Sequence, residues 1–172
     1  MQEPLLRLNG VNENLQIRIQ TKLHGADVPQ RVQQAMHTLF PEFPIPPHQP
    51  NPSLGNASDA VWEASDVSLE HFLKSLHEQR ILDTALDAMT VQSDGAATTF
   101  YLLRQAAIVG KVAFALAGEV PLGGVIQVDI TGEHLHDWLE AATWHKGRDT
   151  VPRGIQDESA MGKDGTAVTW IQ

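Results

Sequence analysis

Five basic side chains occupy positions from which they can form one anion-binding surface. Arg18 and Lys22 are four residues apart in a segment where apolar and polar residues alternate. In a β-strand this spacing places both side chains on one face, about 13 Å apart. Lys111 is expected on the same face from another strand, and Arg104 and Arg80 can extend the patch along its rim. A cluster of this kind is typical of a surface that binds a phosphate backbone.

A pair of carboxylates offers a different chemistry. Asp83 and Asp87 are four residues apart on a predicted helix and therefore share one helix face. Such a pair can bind a cation or act as acid and base. Because Arg80 precedes Asp83 by three residues, a solvated face with a local Arg80–Asp83 ion pair is the simpler interpretation.

The remaining motifs do not assemble a catalytic or metal site. Cysteine is absent, which excludes a thiolate nucleophile and a cysteine-based zinc site. The chain has no GxSxG and no HExxH motif, and His134 and His136 diverge on a predicted helix. Gly110-Lys111 is not a phosphate loop, because Val112 takes the place of the Ser or Thr that binds magnesium. We therefore expect a non-enzymatic protein without a metal or other cofactor.

Charge and hydropathy restrict the partners. The formal net charge of the 172 residues is −9, which repels nucleic acid and anionic membranes at long range. RNA binding would therefore need a local basic patch. No apolar run approaches the roughly 20 residues of a membrane helix, and the first ten residues do not resemble a signal peptide. We expect a cytoplasmic protein that binds neither membrane nor DNA.

The elements that position these side chains follow from the hydrophobic pattern. Alternation from Leu15 to Leu23 predicts a strand, and apolar residues at helical spacing predict helices after Asp27, after Ser68 and after Thr131. Whether residues 68–89 form one bent helix or two stays open. Four more strands are predicted at 57–64, 98–103, 109–116 and 125–130, which gives the order β-α-β-α-β-β-β-α.

This order predicts an α+β fold with two layers. Three consecutive strands joined by short turns favour a mostly antiparallel sheet. Each helix has a single apolar face, so all helices should cover one side of the sheet and leave the other side open. The residues expected in the core are Ile17, Ile19, Met36, Leu39, Phe72, Leu76, Ile81, Leu82, Phe114, Val128, Ile130 and Leu139.

The chain is predicted to form one domain with loose ends. Residues 1–13 are a polar lead-in, and residues 14–144 form the domain, with a proline-rich insertion at about 41–56. Residues 145–172 lack periodicity and are expected to be a flexible tail, although AVTWIQ at the end can add a strand or dock through its Trp. We expect removal of residues 146–172 to leave the melting temperature nearly unchanged.

Three segments carry a resemblance to a known family. QRILDTA (79–85), TTFYLLRQAAIVGKVAF (98–114) and VPLGGVIQVDI (120–130), in this order and spacing, resemble small archaeal proteins known as RNA-binding-domain proteins. The resemblance covers about residues 14–144. It implies the fold of the large-subunit ribosomal protein that binds 5S ribosomal RNA, and an association with RNA or an RNA-processing complex. It carries over no catalytic residues.

Three functions remain open on the sequence. The first is a non-enzymatic RNA-associated module linked to RNA processing. The second is a protein-interaction or dimerisation module, such as a homodimer, that uses the open sheet face. The third is a small-molecule binder or hydrolase that uses Asp83 and Asp87. Clustering of Arg18, Lys22 and Arg104 with Lys111 favours RNA, whereas a large apolar patch favours a protein partner.

Overall fold

An antiparallel sheet forms one layer of the fold and helices form the other. The computed structural model describes residues 8–47 and 49–155. Its strands are β1 (Leu15–Gly25), β2 (Ser58–Ser65), β3 (Ala97–Leu103), β4 (Phe114–Ala115) and β5 (Val125–Gly132). Its α-helices are α1 (Pro29–Leu39), α2 (Glu70–Glu78), α3 (Leu82–Thr90), α4 (Arg104–Ala107) and α5 (Leu135–Ala142). The predicted α+β class with a mostly antiparallel sheet is confirmed.

The strands lie in the order β2-β1-β5-β3-β4. The long first strand is central to the sheet, because β1 pairs antiparallel with both β2 and β5. Ile19 lies opposite Ala64 on β2 and Val128 on β5, and all three side chains point toward the helices. The alternation in the sequence therefore sets which face of the sheet is buried.

The helices present their apolar stripes to this buried face. In α1, Pro29 sits in the first turn, where its missing N–H costs no hydrogen bond, and Met36 and Leu39 are buried. The segment after Ser68 forms two helices rather than one, and Arg80 between them has a left-handed backbone with φ of 58°. A non-glycine residue in this conformation marks a chain reversal rather than a continuing helix.

Aromatic rings link the layers through the core. Phe72 lies between Phe40 and Phe100, with ring centroids 5.8 and 5.9 Å away, and Phe100 lies 6.0 Å from Phe114. Of the twelve residues expected in the core, Ile81 and Phe114 are half-buried, although both pack against it. The others are buried.

The predicted strand at residues 109–116 is wrong for most of its length. A short helix, α4, ends at Ala107, and only Phe114 and Ala115 pair with β3. The side chain of Gln79 explains the difference: its Oε1 accepts from the N–H of Val112 at 2.7 Å, and its Nε2 donates to the Val112 carbonyl at 3.2 Å. One amide side chain thus takes the place of a neighbouring strand.

The predicted flexible tail is wrong for residues 145–155. A 3-10 helix covers Lys146–Asp149, the side chain of Arg148 is buried, and Ile155 packs against the core. Residues 156–172, with the AVTWIQ segment, lie outside the described residues, as do residues 1–7 of the lead-in. In the insertion, Phe43 is buried and Leu54 is fully exposed.

Candidate functional site

The open face of the sheet carries mostly polar side chains in rows set by the strand register. Glu63 on β2, Gln20 on β1, Gln127 on β5 and Tyr101 on β3 form one such row. Their positions follow from the same alternation that buries Ile19, since neighbouring residues of a strand point to opposite faces. This is the surface on which the sequence predicted a ligand.

Arg18 is exposed on this face, but its charge is already paired. Its Nη2 donates to Glu63 Oε2 at 2.7 Å and to Gln20 Oε1 at 3.1 Å. The hydrogen bond and the negative charge of Glu63 raise the pKa of the guanidinium. Beside it, Asp129 accepts from Thr99 Oγ1 at 2.6 Å. The face therefore carries both signs of charge rather than a basic patch.

Lys22 also lies on the open face, in a row with apolar neighbours. It is exposed and lies opposite Val61 of β2, whose surface is 60% exposed. Farther along the sheet, Val125 and Leu103 are paired and half-buried. The segment between β4 and β5 exposes further apolar side chains, namely Leu116, Val120 and Leu122.

Arg104 is not at the rim of the patch, and this prediction is wrong. The residue is only 3% exposed and opens α4 at the end of β3. Its guanidinium donates to Asp27 Oδ2 at 2.8 Å, to Gly123 O at 2.6 Å, and to Thr21 Oγ1 and Lys22 O at 3.0 Å each. These bonds occupy every nitrogen of the guanidinium, so Arg104 has a structural role.

Two opposing effects act on the pKa of Asp27, the carboxylate that pairs with Arg104. Burial of Asp27 raises its pKa, but hydrogen bonds from the His24 backbone N–H at 3.0 Å and from Arg104 outweigh burial and lower it. The Asp27 carboxylate is thus ionised at neutral pH. Gly124 permits the close approach, because a Cβ at that position would clash with Arg104 Nη2.

Lys111 and Arg80 are exposed but belong to the helix layer. Lys111 lies in the segment fixed by Gln79 at the end of α2, and a Cβ on the preceding Gly110 would meet Thr38 of α1 at 4.0 Å. Arg80 lines a cleft of about 590 Å³ between α2 and α3. The open face therefore brings together Arg18 and Lys22, but not the five predicted cations.

The carboxylate pair on α3 is engaged by the segment that follows α5. Asp83 Oδ1 accepts from Arg148 Nε at 2.9 Å and lies 3.0 Å from His145 Nε2, while Asp87 pairs with Arg153. The predicted Arg80–Asp83 pair is wrong. Burial raises the pKa of Asp83, but the bonds from His145 and Arg148 outweigh it and lower the pKa.

Neither a metal cluster nor a membrane span occurs in the described part of the chain. Within residues 8–47 and 49–155, no three His, Asp or Glu side chains are grouped so that they could hold a metal ion. In the same residues, no helix is long and apolar enough to cross a membrane.

Several side chains that shape these sites were missed from the sequence. The sequence predicts a helix after Asp27, a helical region that includes Gln79 and a tail that includes Arg148, but not the contacts of these side chains. Each makes its contact far along the chain: 77 residues separate Asp27 from Arg104, and 65 separate Arg148 from Asp83. Local periodicity holds no signal for contacts of this kind.

Comparison with known proteins points to archaeal proteins of the UPF0201 type. No protein-family model matches the chain. The chain is 31% identical over 102 residues to a UPF0200/UPF0201 protein of Archaeoglobus fulgidus, which covers 59% of this chain and 29% of the relative. It is 40% identical over 83 residues to a UPF0201 protein of Sulfurisphaera tokodaii, which covers 45% of this chain and 55% of the relative.

A solved structure supports the same relationship over a larger part of the chain. The crystal structure of an uncharacterised UPF0201 protein aligns with a TM-score of 0.61 and 27% identity, covering 76% of this chain and 95% of that one. The matched segments span 29% and 55% of the lengths of the two sequence relatives. The two sequence relatives are archaeal, in agreement with the resemblance, whereas the RNA-binding label and the ribosomal-protein fold find no support in these names.

Proposed function

We infer that this chain is a UPF0201-type protein, and we propose that it is a non-enzymatic docking module whose open sheet face binds a protein partner. The observation that carries the proposal is that the predicted basic cluster does not form. Arg104 is buried, Arg18 is paired with Glu63, and Lys111 lies in the helix layer. Lys22 is left as the exposed cation of this face without an ion pair among the described residues.

Charge separates the protein-partner proposal from the RNA alternative. A protein that binds single-stranded RNA neutralises several phosphates with Lys and Arg. Here Glu63 and Asp129 lie on the same face as Arg18 and Lys22, within a chain of net charge −9. A phosphate backbone approaching this face would meet both carboxylates, so the face is unfavourable for RNA.

The apolar side chains of the face favour a protein. Tyr101, Leu103 and Val125 form a half-buried strip, and Val61 adds exposed surface at its far end. Protein interfaces that assemble reversibly combine an apolar centre with polar groups that remain hydrogen-bonded. The partner that fits presents apolar side chains to the strip.

Capture with matched variants tests the proposal. The immobilised 172-residue chain and its variants Tyr101→Glu and Leu54→Glu are incubated with archaeal lysate after nuclease treatment. Because Tyr101 lies on the open face and Leu54 lies in the insertion, we expect one protein to be retained by wild type and by Leu54→Glu, and lost by Tyr101→Glu. Equal thermal unfolding of both variants serves as the folding control. Retention by Tyr101→Glu overturns the proposal.

An RNA titration tests the alternative directly. Structured and single-stranded RNA are titrated at two salt concentrations against wild type and Arg18→Glu/Lys22→Glu. We expect no specific binding, because the cations of the face are few and offset by carboxylates. If RNA instead binds with a log–log salt slope near −0.7 per phosphate, and the double reversal abolishes binding, RNA replaces the protein partner as the ligand of this face.

A further inference from the structure

The outer edge of β2 is an unpaired strand. β2 (Ser58–Ser65) is eight residues long and pairs with β1 on one side only. On its other side, no strand lies within residues 8–47 and 49–155. Natural proteins usually shorten, bulge or cover such an edge, because it is a template for another strand. This edge is long, and Val61 in its centre is exposed.

The alternation of hydrogen-bonded positions between β1 and β2 identifies which backbone groups of β2 are free. Asp66 N donates to Ile17 O at 2.8 Å, next to the Arg18–Ser65 pair. In an antiparallel pair, hydrogen-bonded and non-hydrogen-bonded positions alternate. The even-numbered residues of β2 therefore bond to β1, and the odd-numbered ones direct their N–H and C=O outward. The outward set is Asp59, Val61, Glu63 and Ser65.

We propose that this edge pairs with β2 of a second copy, antiparallel and centred on Trp62. In this register Val61 lies opposite Glu63 of the second copy, and Asp59 lies opposite Ser65. All four residues with outward backbone groups then meet each other, so each such pair exchanges two hydrogen bonds. The pairing is isologous, because the same strand serves both copies.

Charge excludes the neighbouring registers. A register centred on Val61 would place Asp59 opposite Glu63, and one centred on Glu63 would place two Glu63 side chains opposite each other. Like charges directly opposite in a sheet are destabilising. A slip by one residue would pair side chains that belong to opposite faces. The Trp62-centred register avoids both faults along the whole strand.

A cation of β1 complements this register. Lys22 lies opposite Val61, so Glu63 of the second copy lies two strands away, about 10 Å between backbones. The Lys22 side chain can reach across Val61 to that carboxylate. Since the twofold axis is perpendicular to the sheet, both helix layers lie on one side. The two open faces then join into one ten-stranded surface that presents two copies of the docking face.

The mass of the 172-residue chain in solution tests the pairing. We expect sedimentation equilibrium to show a dimer for wild type. Val61→Pro removes an outward N–H without breaking a bond to β1, and proline is tolerated at such edge positions. We expect it to raise the dimer dissociation constant at least about tenfold. Val61→Thr, which keeps the N–H and the β-branched shape, should remain a dimer.

Charge exchange tests the partner and the register together. Glu63→Lys should weaken the dimer, because it places a cation near Lys22 of the second copy. Adding Lys22→Glu should restore it, although the Arg18–Glu63 pair stays broken in both variants. Because Lys22 and Glu63 of one chain are also diagonal neighbours, the rescue is read from the mass of the dimer, and an absent rescue counts against the proposal.

Disulfide cross-linking tests the pairing of the two β2 strands even if Val61→Pro fails to fold. The chain has no cysteine, and a hydrogen-bonded pair has a Cα separation near 5.5 Å, which suits a disulfide. We expect oxidised Val61→Cys/Glu63→Cys to form a covalent dimer and Val61→Cys alone to form none. The proposal is overturned by a monomeric wild type, by a dimer that Val61→Pro leaves unchanged, or by cross-linking of Val61→Cys alone. It is equally overturned if dimers appear only after removal of residues 156–172.

Discussion

The guanidinium of Arg104 donates to the carboxylate of Asp27 at 2.8 Å and joins the end of β3 to the turn that follows β1. The same side chain bonds the carbonyl of Gly123 just before β5. One buried cation thus connects three neighbouring strands at one end of the sheet. The bonds to Thr21 and Lys22 fix the end of β1 that carries the exposed lysine of the docking face.

Loss of the Arg104 side chain should destabilise the fold strongly. Arg104→Met leaves Asp27 as a partly buried charge without its cation, and breaking a buried pair in this way costs about 3–5 kcal/mol. Urea unfolding followed by circular dichroism measures the change in the free energy of unfolding. Arg31→Ala on α1 is the matched control, because Arg31 is exposed and an exposed side chain costs within about 0.5 kcal/mol. Similar losses in the two variants would contradict the structural role.

A fall in pH should weaken the ion pair between Asp27 and Arg104. The pKa of Asp27 is lower in the folded protein than its unfolded value of about 3.9. A carboxylate with a depressed pKa contributes stability above the unfolded pKa, and this contribution is lost as pH falls through the folded pKa. We expect wild type to lose stability below about pH 4 more steeply than Asp27→Asn. Parallel pH profiles from pH 7 to pH 2 would show that Asp27 makes no such contribution.

The local sequence pattern predicted the sheet but not the tertiary contacts that Arg104 and Gln79 make. The alternation around Ile17 and Ile19 was sufficient to place the buried face, because a strand's period of two is a local property. The burial of Arg104 depends on Asp27, 77 residues earlier in the chain. The apolar residues around Val112 favour a strand, yet Gln79 takes up the backbone groups of Val112. Such tertiary contacts override propensity and leave no periodic signal.

The centre of the core should be sensitive to a cavity. Ile19 is fully buried between β2 and β5. Ile19→Ala removes buried methyl and methylene groups and should cost about 2–5 kcal/mol in the free energy of unfolding. Ile19→Val, which retains most of the packing, should cost about 0.5–1.5 kcal/mol in the same urea titration. Equal midpoints for both variants would place Ile19 outside the core.

The segment after α5 should contribute to stability, contrary to the expectation from sequence. Arg148 is buried, and its guanidinium donates to Asp83 Oδ1, Glu140 O and Thr143 Oγ1 at 2.9–3.0 Å. Arg148→Ala should lower the free energy of unfolding by about 1.5–3 kcal/mol, the range for hydrogen bonds to a charged group. Lys146, which is exposed in the same 3-10 helix, provides the control. Lys146→Ala should change the free energy of unfolding by less than about 0.5 kcal/mol. Differential scanning calorimetry of both variants, and of a chain that ends at residue 145, measures the contribution. An unchanged melting temperature in the shortened chain would restore the interpretation of this segment as a flexible tail.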